Sequence, residues 1–173
     1  MARFQFYERK RLQVPGILLS IAFTILLVFA VSLKDRVLSR DDGILIGSIV
    51  VLELCVYILL RTFVLEVTID QSGIHYRYPP LIRKRRTIAW ERIAHLAIVR
   101  YQPMKQFLGW GYRRHQRLGQ ALTTEGNQGL YLVLQGDDRL LLGIRDVQAL
   151  REYLSAQPQA AALWNGGETM RLE

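Results

Sequence analysis

Two stretches of this chain mix cations with apolar and aromatic residues in a way that suits an anionic surface. In the first, Leu81 and Ile82 precede Arg83, Lys84, Arg85 and Arg86, four cations in a row. In the second, Met104, Lys105, Phe107, Leu108, Trp110, Tyr112, Arg113, Arg114 and Arg117 follow one another closely. A basic side chain beside an anionic leaflet contributes about 1 kcal/mol, and Trp and Tyr favour the membrane interface. The residues expected to touch lipid headgroups or a partner are therefore Arg83, Lys84, Arg85, Arg86, Lys105, Trp110, Tyr112, Arg113 and Arg114. The plain alternative is a solvated set of charges, with Trp110 a core residue held between its flanking glycines. A third feature is Glu53, an acid in the middle of an apolar run. A carboxylate at bilayer depth costs a few kcal/mol, so Glu53 is expected to be neutral or to face a protein partner. Tyr57, one helical turn later, is placed to share a hydrogen bond with it.

Catalytic patterns are missing from the sequence. His75, His95 and His115 are spaced too widely for a metal site of the usual ligand spacing. No glycine-rich phosphate loop precedes a helical pattern, and no Ser or Cys nucleophile motif occurs. The single cysteine, Cys55, lies in an apolar run and cannot form a disulfide within the chain. The expectation is a protein that is not an enzyme and that needs no cofactor and no metal. The net charge of +8 raises nucleic-acid binding. Neither a recognition-helix pattern nor an RNA-binding aromatic motif supports it, so no nucleic-acid partner is expected.

Two apolar runs would have to position these residues. Ile17 to Leu33 and Gly43 to Leu60 carry no charge except Glu53. The short stretch between them holds Lys34, Asp35, Arg36, Arg40, Asp41 and Asp42, which belong in water. This pattern predicts a two-helix transmembrane hairpin, with spans at about 17–33 and 43–60. Ala30-Val31-Ser32 also offers a signal-peptide cleavage site, and two buried core helices are a further alternative. The Lys/Arg bias of the flanks predicts a multi-pass protein of the cell membrane with both termini cytoplasmic. The expected domains are 1–61, the basic N-terminus and hairpin; 62–156, a mainly β domain; and 157–173, a loose tail.

After the second run the hydrophobic period becomes two. Leu65 to Asp70 alternates strictly, Gln71-Ser72-Gly73 supplies a turn, and Ile74 to Tyr78 alternates again before Pro79-Pro80 stops the strand. Further strands are expected near Arg86 to Trp90, His95 to Tyr101 and Gln120 to Thr124. A hairpin is expected from Leu130 to Ile144, and a helix from an Asp146 cap to about Ala156. Seven short strands ending in one amphipathic helix is the order of a pleckstrin-homology-like (PH-like) barrel.

The layout also resembles bacterial membrane-anchored PH-domain proteins. The resemblance rests on Leu65-Glu66-Val67-Thr68, Gly73-Ile74-His75-Tyr76-Arg77-Tyr78, Ile88-Ala89-Trp90-Glu91-Arg92-Ile93, Gly109-Trp110-Gly111-Tyr112-Arg113 and Gly129-Leu130-Tyr131-Leu132. It implies a fold and little chemistry, since the family has no settled biochemical activity. The first hairpin turn, Asp70 to Gly73, lacks the Lys and Arg of phosphoinositide-binding PH domains. The functional expectation is a membrane-tethered binding or scaffolding module. It would engage a protein partner, or another copy of itself, at a lipid bilayer with anionic headgroup contacts. The second expectation is an assembly or stability factor for a larger membrane complex, acting through the hairpin and Glu53.

Overall fold

The structure, a computed structural model, describes residues 5–12, 15–32, 40–164 and 170–172. The chain divides into two compact units: residues up to Leu12 with those from Phe63 onward, and residues 13–62 between them. The first unit is mainly β and opens before the helices. Strand β1 (Phe6–Arg11) pairs antiparallel with β2 (Val64–Asp70), Phe6 opposite Ile69 and Arg11 opposite Val64. The Leu12 N–H donates to the Phe63 carbonyl at 2.9 Å, so the chain leaves and re-enters this unit at hydrogen-bonded neighbours.

The second unit holds α1 (Pro15–Ser32) and α2 (Arg40–Arg61). Only one helix among the described residues is long and apolar enough to cross a membrane, Gly43–Arg61, with a mean hydropathy of 2.5. This corrects the expected pair of spans. The 18 residues of α1 reach about 27 Å at 1.5 Å each, short of a hydrocarbon core of about 30 Å. The 22 residues of α2 reach about 33 Å. Placing both termini on the cytoplasmic face rested on two spans, and one span-length helix does not support it. The charged stretch from Lys34 to Asp35 and Arg36 lies outside the described residues.

In the β unit, β2, β3 (Gly73–Tyr78) and β4 (Ile82–Ile88) extend the sheet in the order β1-β2-β3-β4. A 3-10 turn at Trp90–Arg92 leads to β5 (Ile93–Arg100), then α3 (Pro103–Phe107), β6 (Gly111–His115), β7 (Gly119–Thr123), β8 (Gln128–Leu134) and β9 (Arg139–Gly143). Two helices, α4 (Val147–Ala156) and α5 (Pro158–Leu163), precede a two-residue strand, β10 (Met170–Arg171). The second sheet has six strands in the order β10-β5-β8-β9-β7-β6. The Asp146 carboxylate caps α4 by accepting from the Ala149 N–H at 2.9 Å.

The expected seven-stranded barrel is therefore also corrected. Among the described residues ten strands form two separate sheets, and neither sheet closes on the other. Closure would need β4 to pair with β6, yet each is an edge strand. β1 and β10 enlarge the sheets at their other edges, from chain segments read as a charged flank and a loose tail.

Strand alternation explains the core. Leu65, Val67 and Ile69 of β2 share one cluster with Leu96 and Ile98 of β5, Leu130 and Leu132 of β8, and Leu150 and Leu154 of α4. The intervening residues of the second sheet, Ala97, Val99, Tyr131 and Leu141, pack with Tyr101, Phe107 and Leu118 on its other face. On the outer face of the first sheet, Glu66 is buried and takes guanidinium groups from both neighbours, Arg9 at 3.1 Å and Arg77.

Candidate functional site

The four-cation run lies wholly on a strand, which begins before the expected start at Arg86. Arg83 to Thr87 are all exposed on β4. Tyr78 pairs with Ile82 and Tyr76 with Arg86, so Arg83, Lys84 and Arg85 together face only Arg77 across the ladder. That bulge turns the edge and lines it with cations, which discourages indiscriminate pairing with other strands. Its regular part is Arg86 to Ile88, opposite Tyr76 to Ile74.

The two sheets meet at one end of this edge and separate toward the other. Where they meet, the Tyr78 hydroxyl donates to the Thr123 carbonyl at 3.3 Å, and the Gly111 N–H donates to the Thr123 hydroxyl at 3.3 Å. Burial pushes the Tyr78 phenol up to about 12, against the opposing pull of nearby Arg113, so it stays a donor at neutral pH. Where they separate, a wedge of about 1130 Å³ opens between β4 and the β6–β7 turn. Its floor is apolar: Tyr76, Ile88, Leu134 and Leu140. Arg86, Arg92, Arg114, Arg117 and Arg139 surround that floor, with Asp137 and Asp138 at the β8–β9 turn.

These five arginines come from five places in the chain: β4, the 3-10 turn, β6, the β6–β7 turn and the start of β9. The parallel pairing of β7 with β9 sets Gln120 opposite Leu140 and so carries Arg139 to the same side as Arg117. Arg139 donates to the Arg117 carbonyl at 2.7 Å. Gly119 makes the crossing possible: it has φ +80°, and a Cβ there would stand 2.2 Å from the Arg139 carbonyl oxygen. The ion pairs of the β unit join Arg9 and Arg77 to Glu66, Lys10 to Glu8 and Glu125, and His75 to Asp70. Among the described residues none of them involves a wedge arginine. Five arginines against Asp137 and Asp138 leave this rim cationic by three charges, and a cationic rim over an apolar floor is suited to an amphipathic anion.

No family model, curated protein or solved structure matches this chain. What its sites do is therefore read from its own residues.

The structure splits the sequence-predicted site in two. Arg86 and Arg114 enter the wedge. Arg83, Lys84 and Arg85 belong to the other end of β4, next to Leu81, which is 57% exposed. Lys105, Trp110, Tyr112 and Arg113 lie on the segment from α3 to β6. That segment is tied to the end of β1 at which the chain departs for the helices. The Trp110 indole N–H donates to the Gly126 carbonyl at 2.8 Å, while Lys10 pairs with neighbouring Glu125 at 2.7 Å. Trp110 is half-buried and anchors its loop. The exposed apolar residues there are Met104, 65% exposed, and Leu108, 82% exposed. Leu108 caps α3 with φ 57°, a left-handed conformation that favours glycine.

In the helical unit, Glu53 Oε1 accepts from the Ser20 hydroxyl at 2.7 Å and the Thr24 hydroxyl at 3.1 Å, both on α1. Its Oε2 is buried without a hydrogen-bond partner among the described residues. Tyr57 instead lies under Arg61, whose guanidinium carbon is 5.8 Å from the ring centroid.

Sequence reasoning did not assign Arg92, Arg117 and Arg139 to a site. Arg117 lay within the second basic segment. Nothing local marked Arg92 or Arg139, because only the pairing of distant strands gathers them.

Proposed function

We propose that this protein is a membrane-tethered binding module, not an enzyme, whose β unit meets an anionic lipid surface and engages a protein partner or a second copy of itself. One observation carries the reading: Met104 and Leu108 stand exposed, beside Lys105, at the end of the β unit from which the chain departs for an apolar helix of spanning length. Exposed leucine and methionine on a strained, well-anchored turn are unfavourable in water and favourable in the interfacial region of a bilayer. Leu81, Arg83, Lys84 and Arg85 at the start of β4 add one more aliphatic side chain and three cations at that end. At about 1 kcal/mol per cation, this end favours anionic over neutral lipid.

The test places an environment-sensitive fluorophore on Leu108→Cys in a Cys55→Ser background, with the full chain reconstituted into vesicles. Asp137→Cys, on the β8–β9 turn, serves as the control. A blue shift confined to position 108, larger with anionic lipid, is the expected result. Equal spectra at positions 108 and 137 would sink the lipid contact.

A second reading, an assembly factor acting through the helices, is favoured by the half-satisfied Glu53 carboxylate. Under it, Glu53→Leu abolishes co-purification with a larger membrane complex while Leu108→Glu leaves it intact.

A further inference from the structure

The wedge between the sheets has two properties that together specify an occupant. The first is an unpaired strand edge. Among the described residues β4 bonds only to β3, and its regular stretch, Arg86 to Ile88, forms one wall of the wedge. No described strand lies beside its outward N–H and C=O groups, which is the arrangement used to bind an extended peptide by strand addition. The bulge at Arg83 to Arg85 limits that addition to the wedge end of the strand. The second property is charge. Five arginines, none in an ion pair among the described residues, outnumber Asp137 and Asp138 around a floor of Tyr76, Ile88, Leu134 and Leu140.

The floor argues against a small inorganic anion. A phosphate site converges several donors on one point, whereas these arginines are spread around a wedge of about 1130 Å³. That volume exceeds the roughly 300–1,000 Å³ of an ordinary small-molecule pocket. In an added strand, side chains alternate between two faces. One face would lie on the apolar floor and the other would meet the guanidinium groups of Arg114, Arg117 and Arg139.

We propose that the wedge binds a short extended acidic segment of a partner protein, added as a strand to β4 at Arg86–Ile88, with its apolar side chains on the Tyr76–Ile88–Leu140 floor. This deepens the binding-module reading and rests on it, by naming where the partner docks and what its chemistry is. The lipid-facing end is a separate surface of the β unit.

The experiment uses the full chain in neutral detergent micelles, so it does not depend on lipid contact. Fluorescence anisotropy is read with a labelled short peptide of alternating Glu and Val around a central Phe. The same peptide with alternate backbone amides N-methylated tests strand pairing. A version with Lys in place of Glu tests charge. Inositol hexakisphosphate and vesicles of anionic lipid test phosphate from free and membrane-bound sources.

The expected result is micromolar binding of the acidic peptide, weakened roughly tenfold or more by Arg114→Glu with Arg117→Glu, and by N-methylation. Both arginines are exposed, and Arg139 bonds the backbone carbonyl of Arg117 rather than its side chain, so the double variant is expected to fold. An unchanged circular dichroism spectrum checks that it does. Equal binding of the N-methylated peptide would overturn strand addition. Inositol hexakisphosphate or anionic vesicles binding while the peptide does not would overturn the peptide assignment. A negative result here with a positive fluorophore shift at Leu108 would leave the lipid-contact reading standing and remove only the wedge. Peptide binding without that shift would do the reverse.

Discussion

Replacing Phe6 with Ala tests the feature that separates this architecture from a simple tether followed by a domain. Phe6 is 7% exposed and sits opposite Ile69, its ring 6.4 Å from that of Tyr153 on α4. Phe-to-Ala changes in cores cost about 3–5 kcal/mol, of which an aromatic pair supplies roughly 0.5–1.5. β1 is an edge strand that can settle into part of the space, so the lower figure, about 3 kcal/mol, is expected. Tyr7, the next residue, is 54% exposed, and Tyr7→Ala should cost less than about 0.5 kcal/mol. The contrast is the sharper reading, because a one-residue slip in register would exchange the two faces. Denaturant unfolding in mild detergent, followed by tryptophan fluorescence, measures both variants. Trp90, Trp110 and Trp164 all lie after Phe63, so the signal reports the β unit. Equal costs for the two variants, or a larger cost at Tyr7, would refute the pairing of β1 with β2 as described.

Asp70 accepts from the Ser72 N–H at 2.8 Å and lies 3.0 Å from His75. Burial raises its pKa, but bonds from Ser72 and His75 outweigh this and hold it down to about 2 from an ordinary 3.8. A depressed carboxylate stabilises the fold above its unfolded pKa, so this contribution is lost as pH falls from about 4 toward 2. Asp70→Asn should flatten the denaturant midpoint over that window, and an unaltered profile would contradict the assignment. Gly119→Ala, with its Cβ 2.2 Å from the Arg139 carbonyl oxygen at φ +80°, should cost about 1–3 kcal/mol in unfolding free energy. An unshifted melting temperature would show that the β7–β9 crossing is looser than described. Replacing residues 13–62 with a short glycine turn, which the 2.9 Å bond from Leu12 to Phe63 permits, should yield a water-soluble β unit. A fragment starting at residue 62 should instead aggregate, and equal solubility of the two by size-exclusion chromatography would count against the β1 edge.

Much of the β unit was legible from local pattern. β2 and β3 alternate strictly about a tight turn, β8 and β9 flank Gly136-Asp137-Asp138, and Asp146 marks the start of α4. β1 was not, because Phe6-Tyr7-Glu8-Arg9-Lys10-Arg11 reads as a basic flank, and its strand partner, β2, lies far along the chain. β4 begins at Ile82, earlier than its expected start at Arg86, because an edge strand facing water carries a cationic run that resembles a loop. β6 shares that character: Tyr112 to His115 are all exposed. The wedge combines these blind spots, since its walls are the two charged edges and its arginines are gathered by non-local pairing.

The excess of positive charge acquires different meanings at the two ends of β4. At the Ile82 end, Arg83, Lys84 and Arg85 keep company with exposed Leu81 near the point of departure for the helices. At the Ile88 end, Arg86 shares the wedge with Arg114, Arg117 and Arg139 around the floor of Tyr76, Ile88, Leu134 and Leu140. A cation free in solvent is screened beyond about 8 Å at physiological ionic strength, so dispersed charges of the first kind act on a surface collectively and weakly. Arginines gathered around an apolar floor can form bidentate bonds with carboxylates, so the second kind suits an acidic ligand. One continuous run of four cations thus reaches two surfaces of the β unit, because the strand that carries it spans from the meeting point of the sheets to their opening.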